Sequence, residues 1–74
     1  MSKELKEIRV FSWLESGPPE QVKSDFFTDG YVALSWYNWL LAMGFKVKVR
    51  MRRGKKSWSR KTVWTDWETI YESN

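Results

Sequence analysis

The feature that most constrains the fold is a strict alternation of apolar and basic residues. Apolar side chains occupy every second position, and every position between them is basic, in the order Phe45, Lys46, Val47, Lys48, Val49, Arg50, Met51, Arg52. Because successive side chains of a strand point to opposite faces of a sheet, a period of two predicts a strand with one buried and one charged face. We therefore expect a sheet that is covered on one side and basic on the other.

The alternating strand begins a longer basic segment. From Lys46 to Lys61 the chain has nine basic residues and no acid, whereas the remaining 58 residues have four basic and nine acidic ones. The residues 53–56 (Arg-Gly-Lys-Lys) predict a turn, and Ser57 to about Trp67 predicts the returning strand. The segment 45–67 thus reads as a basic β-hairpin, followed by a short acidic C-terminal tail.

The register of this hairpin follows from its turn. With Gly54 and Lys55 as a two-residue turn, the facing pairs are Met51 with Trp58, Val49 with Arg60, Val47 with Thr62, and Phe45 with Trp64. The opposite face then lines up Lys46, Lys48, Arg50, Arg52 and Lys61. A slip of one residue would exchange the two faces of the second strand. The acidic end from Asp66 to Glu72 could also fold back on this basic face.

Upstream of the hairpin the sequence predicts a strand and a short helix. Glu7 to Trp13 is rich in β-branched and aromatic residues, which favours a strand, although Leu5, Ile8 and Phe11 also fit helical spacing. Pro19 suits the first position of a short helix that runs to about Phe27. Two prolines after Gly17 separate the two elements.

Tyr31 to Met43 predicts a longer helix, with Asp29 as its N-cap and Gly44 as the residue that ends it. From Gly30 to Phe45 there is no charge, so most sides of this helix are apolar. One side is expected to lie on the sheet through Leu34, Leu41 and either Tyr37 or Asn38. The other carries Val32, Trp36, Trp39 and Met43. Either the N-terminal strand and short helix cover that side, or a second copy of the chain or a protein target does.

These elements predict a small α+β domain spanning residues 1–74. The order is strand, short helix, helix and β-hairpin, with a three-stranded antiparallel or mixed sheet and the helices on one face. The chain has no Cys and no His, so neither disulfides nor thiolate or imidazole metal sites can support it. Its core is expected to come from 13 aromatic residues, among them Trp13, Trp36, Trp39 and Trp64.

The sequence argues against an enzyme and against a membrane protein. Without His or Cys, the acid–base candidates reduce to Asp66 and Glu68, which we interpret as solvated or ion-paired. Residues 54–57 (Gly-Lys-Lys-Ser) lack the first glycine of a phosphate loop. We expect no cofactor and no metal. The charged N-terminus and the longest uncharged run, 16 residues, predict a cytoplasmic protein without integral membrane association.

The hypothesis that accounts best for the basic segment is nucleic-acid binding, to DNA or RNA. Trp58 would stack on a base, unless it packs across the hairpin on Met51. The residues expected to contact phosphates are Lys46, Lys48, Arg50, Arg52, Arg53, Lys55, Lys56, Arg60 and Lys61. The alternative is a small interaction or inhibitor protein, in the style of phage or mobile-element proteins. It would bind an acidic protein surface through the same hairpin and the uncharged helix.

Overall fold

The alternating segment forms the central strand of an antiparallel sheet. The structure, a computed structural model, describes residues 4–17, 21–57, 59 and 61–73. In chain order the elements are β1 (Glu4–Trp13), β2 (Lys23–Phe27), α1 (Gly30–Ala42), β3 (Lys46–Lys56), β4 (Thr62–Trp64) and β5 (Glu68–Glu72). The strand order is β2-β1-β3-β4, and β5 pairs with β3 as well. The prediction of an α+β domain is confirmed.

β1 and β3 pair along their length and hold the core between them and α1. Their register sets Ser12 opposite Val47, Val10 opposite Val49 and Ile8 opposite Met51. The helix lies over this side of the sheet and adds Ala33 and Leu40 to the buried set. β1 is therefore a strand, as its β-branched residues predict. The helical alternative fails because β1 has a strand partner on each side, which satisfies its backbone groups.

The long helix is confirmed to within one residue at each end. Asp29 is its N-cap, because its Oδ1 accepts hydrogen bonds from the backbone N–H of Tyr31 at 2.8 Å and of Val32 at 3.4 Å. Gly44 has a φ of +87°, the left-handed conformation that ends helices and favours glycine. In the part of the chain that is described, no helix has the length and hydropathy to span a bilayer.

The predicted short helix is wrong. Its proposed start at Pro19 lies outside the described residues, and Lys23–Phe27 forms the edge strand β2, antiparallel to β1. Phe27 packs against the core, while its neighbour Phe26 lies over Arg9 on the opposite face. Adjacent aromatic residues on opposite faces suit a strand. A helix this short has little stability of its own, so pairing with β1 decides the conformation.

The predicted turn is also wrong, because Gly54 lies inside β3. The chain turns instead between Ser57 and Lys61, where the Ser57 N–H donates to the Lys61 carbonyl at 2.9 Å. Trp64 lies opposite Gly54 and Thr62 opposite Lys56, so neither faces Phe45 or Val47. Met51 and Val49 face Glu68 and Tyr71 instead of Trp58 and Arg60, which themselves lie outside the described residues.

The returning strand is interrupted, which accounts for the larger sheet. β4 is short, residues 65–67 are irregular, and the acidic end continues as β5 with a bulge opposite Val49 and Arg50. Glu72 thereby lies opposite Lys48. Within the described residues the domain thus has five strands and one helix, not three strands and two helices.

Candidate nucleic-acid interface

The sheet side away from α1 is called the open face here. Because Val10, Val47 and Val49 point into the core, the residues between them point the other way. In the paired strands this face comprises Leu5, Glu7, Arg9, Phe11 and Trp13 of β1, and Lys46, Lys48, Arg50, Arg52, Gly54 and Lys56 of β3. It therefore collects six cations from two adjacent strands. Strand pairing gives this face two carboxylates, those of Glu7 and Glu72.

Aromatic rings separate the arginines of the open face. The Arg9 guanidinium carbon lies 5.5 Å from the ring centre of Phe26 and 5.8 Å from that of Trp67. The Arg52 guanidinium carbon lies 5.0 Å from the ring centre of Trp67 and 4.4 Å from that of Trp64. Phe26, Arg9, Trp67, Arg52 and Trp64 thus form one cation–aromatic ladder across the sheet. Such contacts stabilise a cation without neutralising its charge.

Arg52 is also fixed by a carboxylate. Its Nε donates to Oε1 of Glu7 at 2.6 Å, and its Nη2 contacts the same oxygen. The Glu7 and Arg52 side chains are 22% and 30% exposed, so water screens this pair only in part. The plane of the Arg52 guanidinium group is therefore fixed by Glu7 and by the rings of Trp64 and Trp67.

Arg50 has fewer partners than Arg52. Its Nη2 donates to the Trp67 carbonyl at 3.5 Å, the long limit for a hydrogen bond. Its Nε is buried and has no acceptor within the described residues. Within the described residues Arg50 has no carboxylate partner, so its charge is not paired with an acid.

The structure brings together five of the nine predicted phosphate contacts on the open face. Lys46, Lys48, Arg50, Arg52 and Lys56 lie on the open face, and Lys61 is exposed in the turn before β4. Lys46 also contacts Glu15, at 4.0 Å. Arg53 and Lys55 point to the α1 side, opposite Lys6 and Glu4 in the register. Trp58 and Arg60 lie outside the described residues.

Sequence reasoning missed several residues of this face. Arg9 was detectable, because it alternates with Ile8 and Val10 in β1 just as the cations of β3 do. The sequence predicts Phe26 in a helix and Trp64 in the core. Trp67 has no local signal, since it lies between β4 and β5 and reaches Arg9 only through the fold. Trp13, predicted as core, lies half-buried on the open face.

A second surface lies on α1. Val32, Trp36, Trp39 and Met43 recur at helical spacing and form what we call the apolar stripe. Trp36 is half-buried, donates from Nε1 to Asp25 Oδ2 at 2.8 Å, and stacks on Trp39 at 4.9 Å between ring centres. Val32, Trp39 and Met43 are 51%, 48% and 58% exposed. Trp36 packs against the core beside β2, as predicted for a core residue, whereas Trp39 is not a core residue and is exposed with Val32 and Met43.

Comparison with protein-family models, with curated proteins and with solved structures gave no match. The assignment of this surface therefore depends on its geometry and chemistry.

Proposed function

We propose that this protein is a non-enzymatic nucleic-acid-binding module that contacts phosphates through the open face. The supporting observation is the cross-strand pairing of Arg9 with Arg50, flanked along β3 by Lys48 and Arg52. Like charges directly opposite each other destabilise a sheet. A cluster of this kind is stabilised when an anionic ligand neutralises it.

The spacing of the cations suits a polyanion. Alternate residues of a strand lie about 6.6 Å apart, so Lys46, Lys48, Arg50 and Arg52 form a regular row of positive charge. Each phosphate that such a row neutralises releases condensed counterions, which makes binding stronger at low salt. The aromatic rings beside the row would contact bases or sugars.

The test compares two double variants of β3, each of which loses two positive charges from one face of the strand. K48Q/K56Q removes two cations from the open face, and R53Q/K55Q removes two from the α1 side as a matched control with the same net charge. Affinity for a labelled oligonucleotide is measured by fluorescence anisotropy at about 50 to 200 mM salt. We expect K48Q/K56Q to weaken binding and to lower the slope of log K against log salt by about 1.4 to 1.8. R53Q/K55Q should change the slope much less.

Two outcomes would contradict the proposal. One is equal loss from both double variants, which would mean that only net charge matters. The other is no binding of the unmodified protein at low salt.

The exposed apolar stripe favours a second candidate function, protein binding. The stripe and the open face lie on opposite sides of the sheet, so one acidic partner surface cannot contact both. A nucleic-acid binder purified at low salt should carry absorbance near 260 nm, whereas a protein binder should carry a second polypeptide. If W39S/M43S releases that polypeptide and K48Q/K56Q does not, the protein partner binds the stripe.

A further inference from the structure

We infer that the ligand of the open face is a single-stranded nucleic acid, with bases stacked on the sheet. This inference rests on the proposed function and states which kind of nucleic acid the open face binds. The hairpin expected from sequence could have entered the major groove as a two-stranded ribbon. The observed sheet changes that geometry.

The basic row lies in the middle of a sheet that is too wide for a groove. β3 is flanked by β1 on one side and by β4 and β5 on the other, and β1 is flanked by β2. Adjacent strands lie about 4.8 Å apart, so four strands separate the outer axes by about 14 Å before side chains are added. The major groove of B-DNA is about 12 Å wide. Even the Lys55 end of β3 is flanked, because Glu4 of β1 pairs with it.

Aromatic rings lie next to the cations on this face. Phe11 and Trp13 line a shallow depression together with Lys48 and Arg50. Both rings are half-buried, so part of each remains accessible. In a duplex the flat faces of the bases are covered by neighbouring base pairs, and such a depression could contact only phosphates and sugars. Unpaired bases can stack on the rings while Lys48 and Arg50 bind the adjacent phosphates.

The cation–aromatic ladder orders the arginine side chains of this surface. Arg9 and Arg52 lie between rings, so their planar groups are already positioned when the ligand arrives. Arg50, which has no carboxylate partner within the described residues, lies opposite Arg9 and two residues along β3 from Arg52. Ordering the side chains in advance lowers the entropy lost on binding.

The experiment compares four ligands of equal length on the unmodified protein. They are single-stranded DNA, single-stranded RNA of the same sequence, the DNA duplex, and an abasic strand that has phosphates but no bases. We expect either single strand to bind at least about tenfold more tightly than the duplex or the abasic strand, since stacking contributes roughly 5- to 150-fold per base. RNA that binds more tightly than DNA would identify RNA as the ligand through its 2′-hydroxyl, and the reverse would identify DNA.

A variant locates the stacking site. F11L/W13L keeps apolar bulk and removes both rings, and W39L on the apolar stripe is the matched control. We expect F11L/W13L to lower single-strand affinity several-fold and leave the salt slope unchanged, while W39L has no effect. Duplex or abasic binding as tight as single-strand binding would overturn the inference and leave the proposed function standing. No binding to any of the four ligands would overturn both.

Discussion

The two faces of the sheet come from the same strands and are built differently. On the α1 side, β1 and β3 contribute small aliphatic side chains such as Val10 and Val47, which are fully buried under the helix. On the open face the intervening positions include Arg, Lys, Phe and Trp, and no helix lies over them within the described residues. One face is buried by a neighbouring element, and the other is covered by its own long side chains.

The difference shows how a small domain can keep a binding surface ordered. The α1 side is stabilised by removal of apolar area from water, about 25 cal/mol per Å². The open face has cation–aromatic contacts, each worth roughly 0.5 to 2 kcal/mol, which do not neutralise the cations. We therefore expect substitutions on the α1 side to affect stability most, and substitutions on the open face to affect it less.

Truncation of the core should have the largest effect. Leu40 is 3% exposed and belongs to the core, whereas the adjacent Leu41 is 38% exposed. L40A should lower the free energy of unfolding by about 2 to 5 kcal/mol, because it leaves a cavity between α1 and the sheet. L41A makes the same chemical change on the same helix and should cost less than half as much. Equal losses in urea denaturation would mean that the helix is not seated as described.

Local signals in the sequence predicted the buried strand residues and the helix ends on the α1 side. They gave the wrong side of the helix, because Ala33 and Leu40 are buried where Leu34 and Leu41 were expected. The alternation in β3 identifies Val47 and Val49 as buried because a strand has a fixed period of two. Asp29 and Gly44 mark the helix ends because their roles depend only on neighbouring backbone groups. All these features are determined by residues that are close to one another in the sequence.

The open face was predicted only in part, because its other features depend on distant contacts. β2 takes its conformation from pairing with β1, and Gly54 is needed for Trp64 rather than for a turn. The cation row of β3 follows from alternation. The rings that separate the arginines come from three different segments, at Phe26, Trp64 and Trp67, and no local pattern joins them.

The packing of Trp64 on Gly54 is the next test of the open face. A Cβ atom at Gly54 would lie 2.6 Å from Cε3 of Trp64, closer than atoms can approach. G54A should displace the indole, remove its contact with Arg52 and lower the free energy of unfolding by about 1 to 3 kcal/mol. Urea denaturation measures this loss, and a reduced change in Trp fluorescence on unfolding would accompany it.

Gly30 provides the control for this substitution. A Cβ atom there would meet only Lys6 Nζ, at the ordinary contact distance of 3.7 Å. G30A should leave stability unchanged or raise it by up to about 1 kcal/mol, since alanine favours helices over glycine. If G54A were as well tolerated as G30A, Trp64 would not cover β3, and the ladder would end at Trp67.

The smallest expected effect concerns the ion pairs of the two faces. Glu7 and Arg52 on the open face are held at 2.6 Å and are less than a third exposed, whereas Glu4 and Arg53 on the α1 side are 3.8 Å apart and more than half exposed. A double-mutant cycle with E7Q and R52Q should give a coupling energy of about 0.5 to 1.5 kcal/mol. The cycle with E4Q and R53Q should give less than about 0.5 kcal/mol, and salt should reduce it further. R52Q removes the ring contacts of Arg52 both in the presence of Glu7 and in the E7Q background. Their energy therefore cancels, and the coupling energy of the first cycle reports only the ion pair. Equal couplings would show that the open face does not hold its cations more firmly than an ordinary solvated surface.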